Sequence, residues 1–530
     1  MTMEIRQGSK VIYINFLEEE KTLSLLELLR RNQIEVQANC GGAGLCGKCR
    51  VQFLEHAPDV LEQERLVLSE EELKAGWRLA CLTKAKDDAV IYVPKTNEDA
   101  MEVQADCTAD EGAGNKLNGD TRNTELDRKH TYGIAVDIGT TTIAISLVDT
   151  DMKKVIDTYT TVNHQRRWGA DVISRIKAAG EGHLEEMKES IRTDLRTGIE
   201  TLVTRYGLTL SHLNKIVIAG NTTMGHLFCG FPCDSLGVAP YTPVDISTIR
   251  KTAKEIFDWE ESNAEVILLP GISTYVGADI TAGMYTIGMH ESEKVTVLVD
   301  LGTNGEMAIG NKDRFMVTST AAGPAFEGGN ISCGVASVPG AICHVAIDGT
   351  NIHTETIGDK VPVGLCGTGV IETVYELCKN EWIDETGLLE DDYFEDGVCL
   401  AKNQNQEEIT FLQEDVREIQ LAKSAVRAGL ECLLLKFGAT YEDVAHVYIA
   451  GGFGYKMDLS KAAGIGMLPQ ELLPKMKAVG NSSLGGALAA LLEDDALLKM
   501  EQIAKASEEV SLASSKEFNE FYMEYMMFEE

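Results

Sequence analysis

One pattern in this chain occurs twice, and it limits the possible folds more than any other feature. Ile134-Ala135-Val136-Asp137-Ile138-Gly139-Thr140-Thr141 is echoed 163 residues later by Val297-Leu298-Val299-Asp300-Leu301-Gly302-Thr303-Asn304. Each copy is an apolar strand running into Asp-x-Gly-Thr and out into a second apolar run, which predicts a β-hairpin with amides and hydroxyls at its tip. A second echo follows, Ile216-Val217-Ile218-Ala219-Gly220-Asn221 against Val447-Tyr448-Ile449-Ala450-Gly451-Gly452, at a spacing of 231 residues. A repeated unit with unequal spacing predicts a duplicated α/β core, decorated by insertions, whose two similar lobes face each other across a cleft. One Asp-Gly hairpin tip is ordinary structure. Two in matching contexts point to phosphate, which such turns cradle while the Asp holds Mg2+ directly or through water. The G-x4-G-K-[ST] pattern is absent, so a P-loop is not expected.

The first hundred residues carry a different signal. Cys40, Cys46 and Cys49 are spaced C-x5-C-x2-C in a loop with glycines at 41, 42, 44 and 47, and 31 residues separate Cys49 from Cys81. An iron–sulfur cluster needs thiolates converging from a loop with little side-chain bulk and access to positive φ. A structural zinc site or four buried thiols are the alternatives, although zinc sites usually pair their cysteines in two C-x2-C knuckles and Cys81 stands alone. The other nine of the 13 cysteines are scattered and read as small buried apolar residues. Cys366, at an apparent strand-to-helix turn, is the one with a claim to a role. An odd count with no secretory h-region near the N-terminus suggests reduced thiols.

Composition then divides the chain. Residues 1 to about 95 hold 13 basic and 15 acidic residues, so nearly all of the net charge of -35 lies beyond them. Residues 96–131 lose large apolar side chains and read as a flexible acidic linker. Lobes at 132–290 and 291–530 complete the expected organisation. So negative a body argues against nucleic acid and anionic lipid, and leaves the nearly neutral N-terminal piece as the end that docks. No apolar run reaches the ~18 to 20 residues of a membrane span. The final EFNEFYMEYMMFEE reads as a helix packed on its own chain, with a partner contact as the alternative.

The cysteine spacing and flanking strands resemble the [2Fe–2S] ferredoxin fold, in its adrenodoxin-like branch, over residues 1 to about 95. The paired hairpins resemble the acetate and sugar kinase/Hsp70/actin (ASKHA) superfamily. The fold class expected is therefore multidomain α/β: a β-grasp ferredoxin-like domain joined to a two-lobed, RNase H-like duplicated ATPase. The first resemblance implies Cys40, Cys46, Cys49 and Cys81 as ligands of a [2Fe–2S] cluster. The second implies Asp137 with Thr140, Thr141 and Thr142 as one phosphate hairpin, and Asp300, Gly302, Thr303, Asn304 and Gly305 as the other. It also implies Gly451, Gly452 and Gly454 as an adenosine turn, Asp300 as the residue orienting the attacking water, and Glu306 as a second carboxylate, for which a solvated strand residue is the alternative.

The order of parts resembles the reductive activators of corrinoid-dependent methyltransferases and corrinoid iron–sulfur proteins. Ile218-Ala219-Gly220-Asn221-Thr222-Thr223-Met224, Ala322-Gly323-Pro324-Ala325-Phe326-Glu327-Gly328-Gly329 and Gln420-Leu421-Ala422-Lys423 resemble that family's signature stretches. Membership implies ATP-dependent transfer of one electron to cobalt(II), with ATP and Mg2+ as cofactors beside the cluster. The implied partners are a corrinoid protein and a reduced ferredoxin or similar donor, with a homodimer as an allowed assembly and the cytoplasm as the compartment. A redox-regulated small-molecule kinase and a nucleotide-gated scaffold are the rival classes. An activator of a radical dehydratase fits less well, because those activators lack an N-terminal ferredoxin module.

Overall fold

The computed structural model describes residues 2–94 (except 8, 9, 33, 35, 37–41, 43, 45 and 46), residue 126, residues 129–451 and residues 457–528. The chain separates into two compact units. The first is Met1–Asp99 with Asn163–Ile191 and Leu227–Tyr241, and the second is Ala100–Val162, Arg192–His226 and Thr242–Glu530. Most of the expected linker, 96–131, lies outside the described residues.

In the first unit, β1 (Thr2–Gln7), β2 (Lys10–Asn15), β3 (Arg50–Glu55), β4 (Trp77–Leu79) and β5 (Val90–Tyr92) form one sheet in the order β2-β1-β5-β3-β4. β1 pairs parallel with β5 and antiparallel with β2. The helix Leu25–Arg31 covers the sheet with Leu25, Leu26, Leu28 and Leu29, all buried. Ser24 caps it, its hydroxyl accepting from the Glu27 amide while Glu27 reaches back to the Ser24 amide. Such a box satisfies two helix-end donors at once and fixes where the helix starts.

The second unit contains two sheets of the same plan. β6 (Tyr132–Ile138), β7 (Thr142–Asp149), β8 (Lys154–Val162), β9 (Leu213–Gly220), β10 (Ile249–Thr252) and β11 (Glu265–Leu268) are ordered β10-β11-β9-β6-β7-β8. β12 (Val295–Leu301), β13 (Gly305–Asn311) and β14 (Arg314–Thr320) open the second sheet. A small sheet of β15 (Ala341–Asp348), β16 (Asn351–Thr356) and β17 (Gly364–Leu365) and a hairpin of β18 (Val398–Lys402) and β19 (Glu408–Phe411) are inserted next. β20 (Val444–Ala450), β21 (Met476–Gly480) and β22 (Ser507–Glu509) then complete the order β21-β20-β12-β13-β14-β22. Each sheet is thus an antiparallel meander flanked by two parallel strands, β9 and β11 in one lobe, β20 and β21 in the other. β6 and β12 are buried along nearly their whole length, which is why both read as continuous apolar runs.

The helices that follow the outer parallel strands, Ala278–Thr286 and Ser482–Leu492, pack on each other through small residues. A Cβ on Gly283 would come within 2.8 Å of Ser482 Oγ, and one on Gly486 within 2.6 Å of Ala282 Cα. Thr286 Oγ1 donates to the Ser482 carbonyl at 2.9 Å. At the C-terminus the helix Lys516–Glu524 and the residues after it dock on the long helix Gln413–Phe437. Lys423, fully buried, donates to the carbonyls of Tyr525 (2.7 Å) and Met527 (2.6 Å). Gln420 donates to the Met526 carbonyl at 2.8 Å and Ser424 to that of Tyr522 at 2.8 Å. The aromatic tail is therefore a strap on its own chain. Among the described residues no helix is long and apolar enough to cross a membrane.

Candidate functional site

The cysteine loop is set by the turn that carries Cys81. The amides of Leu25 and Leu26, at the open N-terminal end of their helix, donate to the carbonyls of Thr83 (2.6 Å) and Ala80 (2.9 Å). From the other side the fully buried Glu64 accepts from the Leu79 amide at 2.9 Å and from Thr83 Oγ1 at 3.3 Å. Cys81 is held between these anchors, and its Sγ lies 3.2 Å from that of the buried Cys49. The two are not joined by a disulfide. Gly47 has φ +64, and a Cβ there would reach 2.5 Å from Val67 Cγ1, so a larger residue two before Cys49 would displace Val67. Cys40 and Cys46 lie outside the described residues.

The surroundings of this pair suit an anionic cluster. Nε and Nη2 of Arg30 are buried without a hydrogen-bond partner. Burial lowers Arg30 to about 10, while the charges of nearby Glu27, Cys49 and Cys81 favour its protonated form. A half-buried cation beside two thiols suits a sulfur-rich, negatively charged group.

The second site is a cavity of about 180 Å³ in the second unit. Asp137, Thr140, Thr141 and Thr142 line it from the β6–β7 hairpin, and Asp300, Gly302, Thr303, Asn304 and Glu306 from the β12–β13 hairpin. Gly451, at the end of β20, reaches the same space. Its φ is +95, and a Cβ there would meet the Leu301 carbonyl and come within 2.9 Å of Asp300 Oδ1. Gly305 is buried at the start of β13, and Gly452 and Gly454 lie outside the described residues. Cys366 is buried at the N-cap of the helix Gly367–Lys379, its Sγ donating to the Ile342 carbonyl at 3.2 Å.

The sequence patterns described above assign no role to Asn481, Ser483, Glu327 or Asp279, all of which line the cavity. Asn481 Nδ2 and Ser483 Oγ donate to the two carboxylate oxygens of Asp137, at 2.8 and 2.7 Å. Glu327 accepts from the hydroxyls of Thr141 and Thr303, and Asp279, in the first turn of its helix, also lines the space. A signal for Asn481 is present in the sequence. Gly480-Asn481-Ser482-Ser483-Leu484-Gly485 echoes Gly220-Asn221-Thr222-Thr223-Met224-Gly225. Both asparagines cap helices through Oδ1, accepting from Met224 N (2.9 Å) and Leu484 N (2.8 Å). Both then spend their amide nitrogens on the first hairpin, Asn221 on Thr140 Oγ1 at 3.0 Å and Asn481 on Asp137.

The carboxylates crowd one another. Burial raises Asp137 despite its two donors. Burial pushes Asp279 up to about 7, with the charge of Asp137 adding to it. Asp300 rises to about 8, from burial first and then from Asp279 and Asp137. Glu306 is pushed well above its ordinary value by burial, Asp279 and Asp300. It is 8% exposed, so it belongs to the cavity and is not a solvated strand residue. Among the described lining residues none is Lys, Arg or His. An anionic ligand with a divalent cation fits this donor set: hydroxyls and backbone for the anion, carboxylates for the metal.

Family models match three successive stretches of the chain: a 2Fe-2S iron-sulfur cluster binding domain at 14–86, the RACo middle region at 132–292, and the C-terminal ASKHA domain of RACo at 294–530. The chain is 32% identical over 422 residues to the corrinoid activation enzyme RamQ of Eubacterium limosum, covering 76% of this chain and 71% of that one. It is 28% identical over 425 residues to the [Co(II) methylated amine-specific corrinoid protein] reductase of Methanosarcina barkeri, covering 74% and 76%. A solved structure of a reductive activator for a corrinoid, iron-sulfur protein superposes with a TM-score of 0.70 at 27% identity, over 99% of this chain and 98% of that one. With a ferredoxin-like sheet carrying the cysteine loop and paired ASKHA lobes closing on an acidic, hydroxyl-lined cavity, this chain belongs to the RACo family of reductive activators of corrinoid-dependent enzymes.

Proposed function

We propose that this protein restores an oxidised corrinoid protein to its active state, delivering one electron to cobalt(II) to give cobalt(I) at the expense of ATP hydrolysis. What carries the proposal is the presence in one chain of a cysteine pair beside an arginine with buried nitrogens and of two Asp-x-Gly-Thr hairpins sharing one cavity. Cys40, Cys46, Cys49 and Cys81 would hold the [2Fe–2S] cluster, which supplies the single low-potential electron. Centres of this type lie near about -400 mV, and each further 59 mV required of a one-electron donor is about 1.4 kcal/mol. A target below that potential has to be coupled to a second, exergonic process.

The ATPase half of the task falls to named side chains. The hydroxyls of Thr140, Thr141, Thr142 and Thr303 and the amides of the two tips receive the phosphates, and the Gly451 turn takes the adenosine. Asp137 and Asp300 would hold Mg2+, directly or through water, and so neutralise the charge that the cavity and the triphosphate share. Asp300, buried beside Asp279 and Asp137, orients the attacking water once a cation has taken up the negative charge of the site. Glu306 stands opposite it across the β12–β13 pairing. A reduced ferredoxin or similar one-electron carrier is the proposed donor, a homodimer the proposed assembly, and the reducing cytoplasm the compartment that suits free thiols.

The test is the cobalt(II)-to-cobalt(I) absorbance change of a corrinoid protein, with and without ATP, under a strong reductant. Cys40→Ala should abolish electron transfer and leave nucleotide binding. Asp300→Asn should keep the reducible cluster spectrum and lose the ATP-dependent step. Reactivation by both variants would overturn the proposal, and phosphorylation of a sugar or acyl substrate without any corrinoid protein would favour the kinase class instead.

A further inference from the structure

Thr141 and Thr303 stand at the tips of different hairpins, yet their hydroxyls donate to the same atom, Oε2 of Glu327, each at 3.0 Å. A hydroxyl has one hydrogen to give. Neither hydroxyl can therefore donate to a phosphate oxygen while Glu327 holds it. The carboxylate also lines the cavity that Asp137, Asp279, Asp300 and Glu306 already make acidic, where a further negative charge is unfavourable unless donors are aimed at it.

The position of Glu327 is fixed from behind. It ends the 3-10 turn Pro324–Glu327, whose Ala325 and Phe326 are buried. The turn is closed by the Gly328 amide on the Ala325 carbonyl (3.0 Å) and the Gly329 amide on that of Pro324 (2.8 Å). With the backbone anchored, the side-chain torsions are the free variables.

We propose that Glu327 is the resident anion of this cavity: it occupies the phosphate seat of the nucleotide-free chain, ties the two hairpins together, and must be displaced when nucleotide enters. This rests on reading the cavity as a nucleotide site. Nucleotide binding then breaks one inter-hairpin bridge as it makes another, so the hairpins are joined by a carboxylate before binding and by phosphates after it.

Isothermal titration of the full chain with Mg-ADP and with a non-hydrolysable ATP analogue tests this. Glu327→Ala frees both hydroxyls, whereas Glu327→Gln keeps the shape and removes the charge, and carries the test should the alanine variant fold poorly. Both variants should bind nucleotide more tightly than the wild type, the alanine by at least about tenfold. A residue that only braced the fold would, when removed, loosen binding. Equal or weaker binding by both variants, with the wild type binding normally, would overturn the displacement while leaving the nucleotide reading intact. No binding by the wild type would overturn both.

Discussion

Asp137 and Asp300 end equivalent strands of the two lobes, but their neighbours differ in kind. Asp137 accepts hydrogen bonds from Asn481 and Ser483, and the residue opposite it across the β6–β7 pairing is Ala144. Asp300 receives no hydrogen bond from any described side chain, Asp279 lies close enough to raise it, and the residue opposite is Glu306. The tips differ as well: Ile138 pairs with Ile143 but Leu301 pairs with Gly305, so the second hairpin is one residue shorter. The helix after each outer parallel strand accounts for much of the contrast. After β21 it opens with Asn481-Ser482-Ser483 and offers donors, whereas the one after β11 opens with Ala278-Asp279 and offers an acid. One aspartate is thus held in place, and the other is left in need of a proton or a cation.

The sharpest way to break this comparison is to replace each aspartate. Asp300→Asn should reduce ATP hydrolysis by about 10² to 10³-fold, measured as phosphate release, with no loss of thermal stability. Asp137→Ala should cost about 2–4 kcal/mol in urea unfolding, because the buried Asn481 and Ser483 donors lose their acceptor. Finding the stability loss at Asp300 and none at Asp137 would reverse the assignment.

The protonation of Asp300 and of its neighbour Asp279 gives a smaller effect of defined sign. Burial and neighbouring negative charge push Asp279 up to about 7 and Asp300 up to about 8 in the folded chain, against roughly 4 when unfolded. Between those values the folded state holds protons that the unfolded state has released, so stability without ligand falls as pH rises from about 4 to 8. Unfolding at a series of pH values in chelator should show that slope, and Asp300→Asn should flatten it by up to about 1.4 kcal/mol per pH unit between 6 and 8. A slope unchanged by the substitution would place the protons elsewhere.

The smallest effect is a control. Lys423→Met removes two buried hydrogen bonds to the C-terminal strap and should cost about 1–3 kcal/mol, with nucleotide affinity unchanged. Altered affinity would tie the strap to one of the hairpins.

Legibility in the sequence followed the range of each interaction. The strands before both aspartates were readable because buried parallel strands are continuous apolar runs, and the tips because Asp-x-Gly-Thr is local. Asn481 and Ser483 were not, since an Asn-Ser-Ser before an apolar helix is fully explained by capping and its second task is set by tertiary contact. Asp279 has the same disguise in the first turn of a helix. Glu327 sits among glycines, in a stretch whose resemblance to a family signature says nothing of which hydroxyls it will meet. The joining of Asn163–Ile191 and Leu227–Tyr241 to the ferredoxin-like unit also lay beyond periodicity and spacing.

The donors on Asp137 arrive from 344 and 346 residues further along the chain. At the ribosome, where synthesis runs at about 5–20 residues per second, that separation is a wait on the order of 17 to 70 seconds. Throughout it the first lobe carries an aspartate without those two donors. A product cut short before residue 481 therefore cannot complete even the half of the site that it encodes. The hydrogen-bonded setting of Asp137 is thus completed only by the last part of the second lobe to be made.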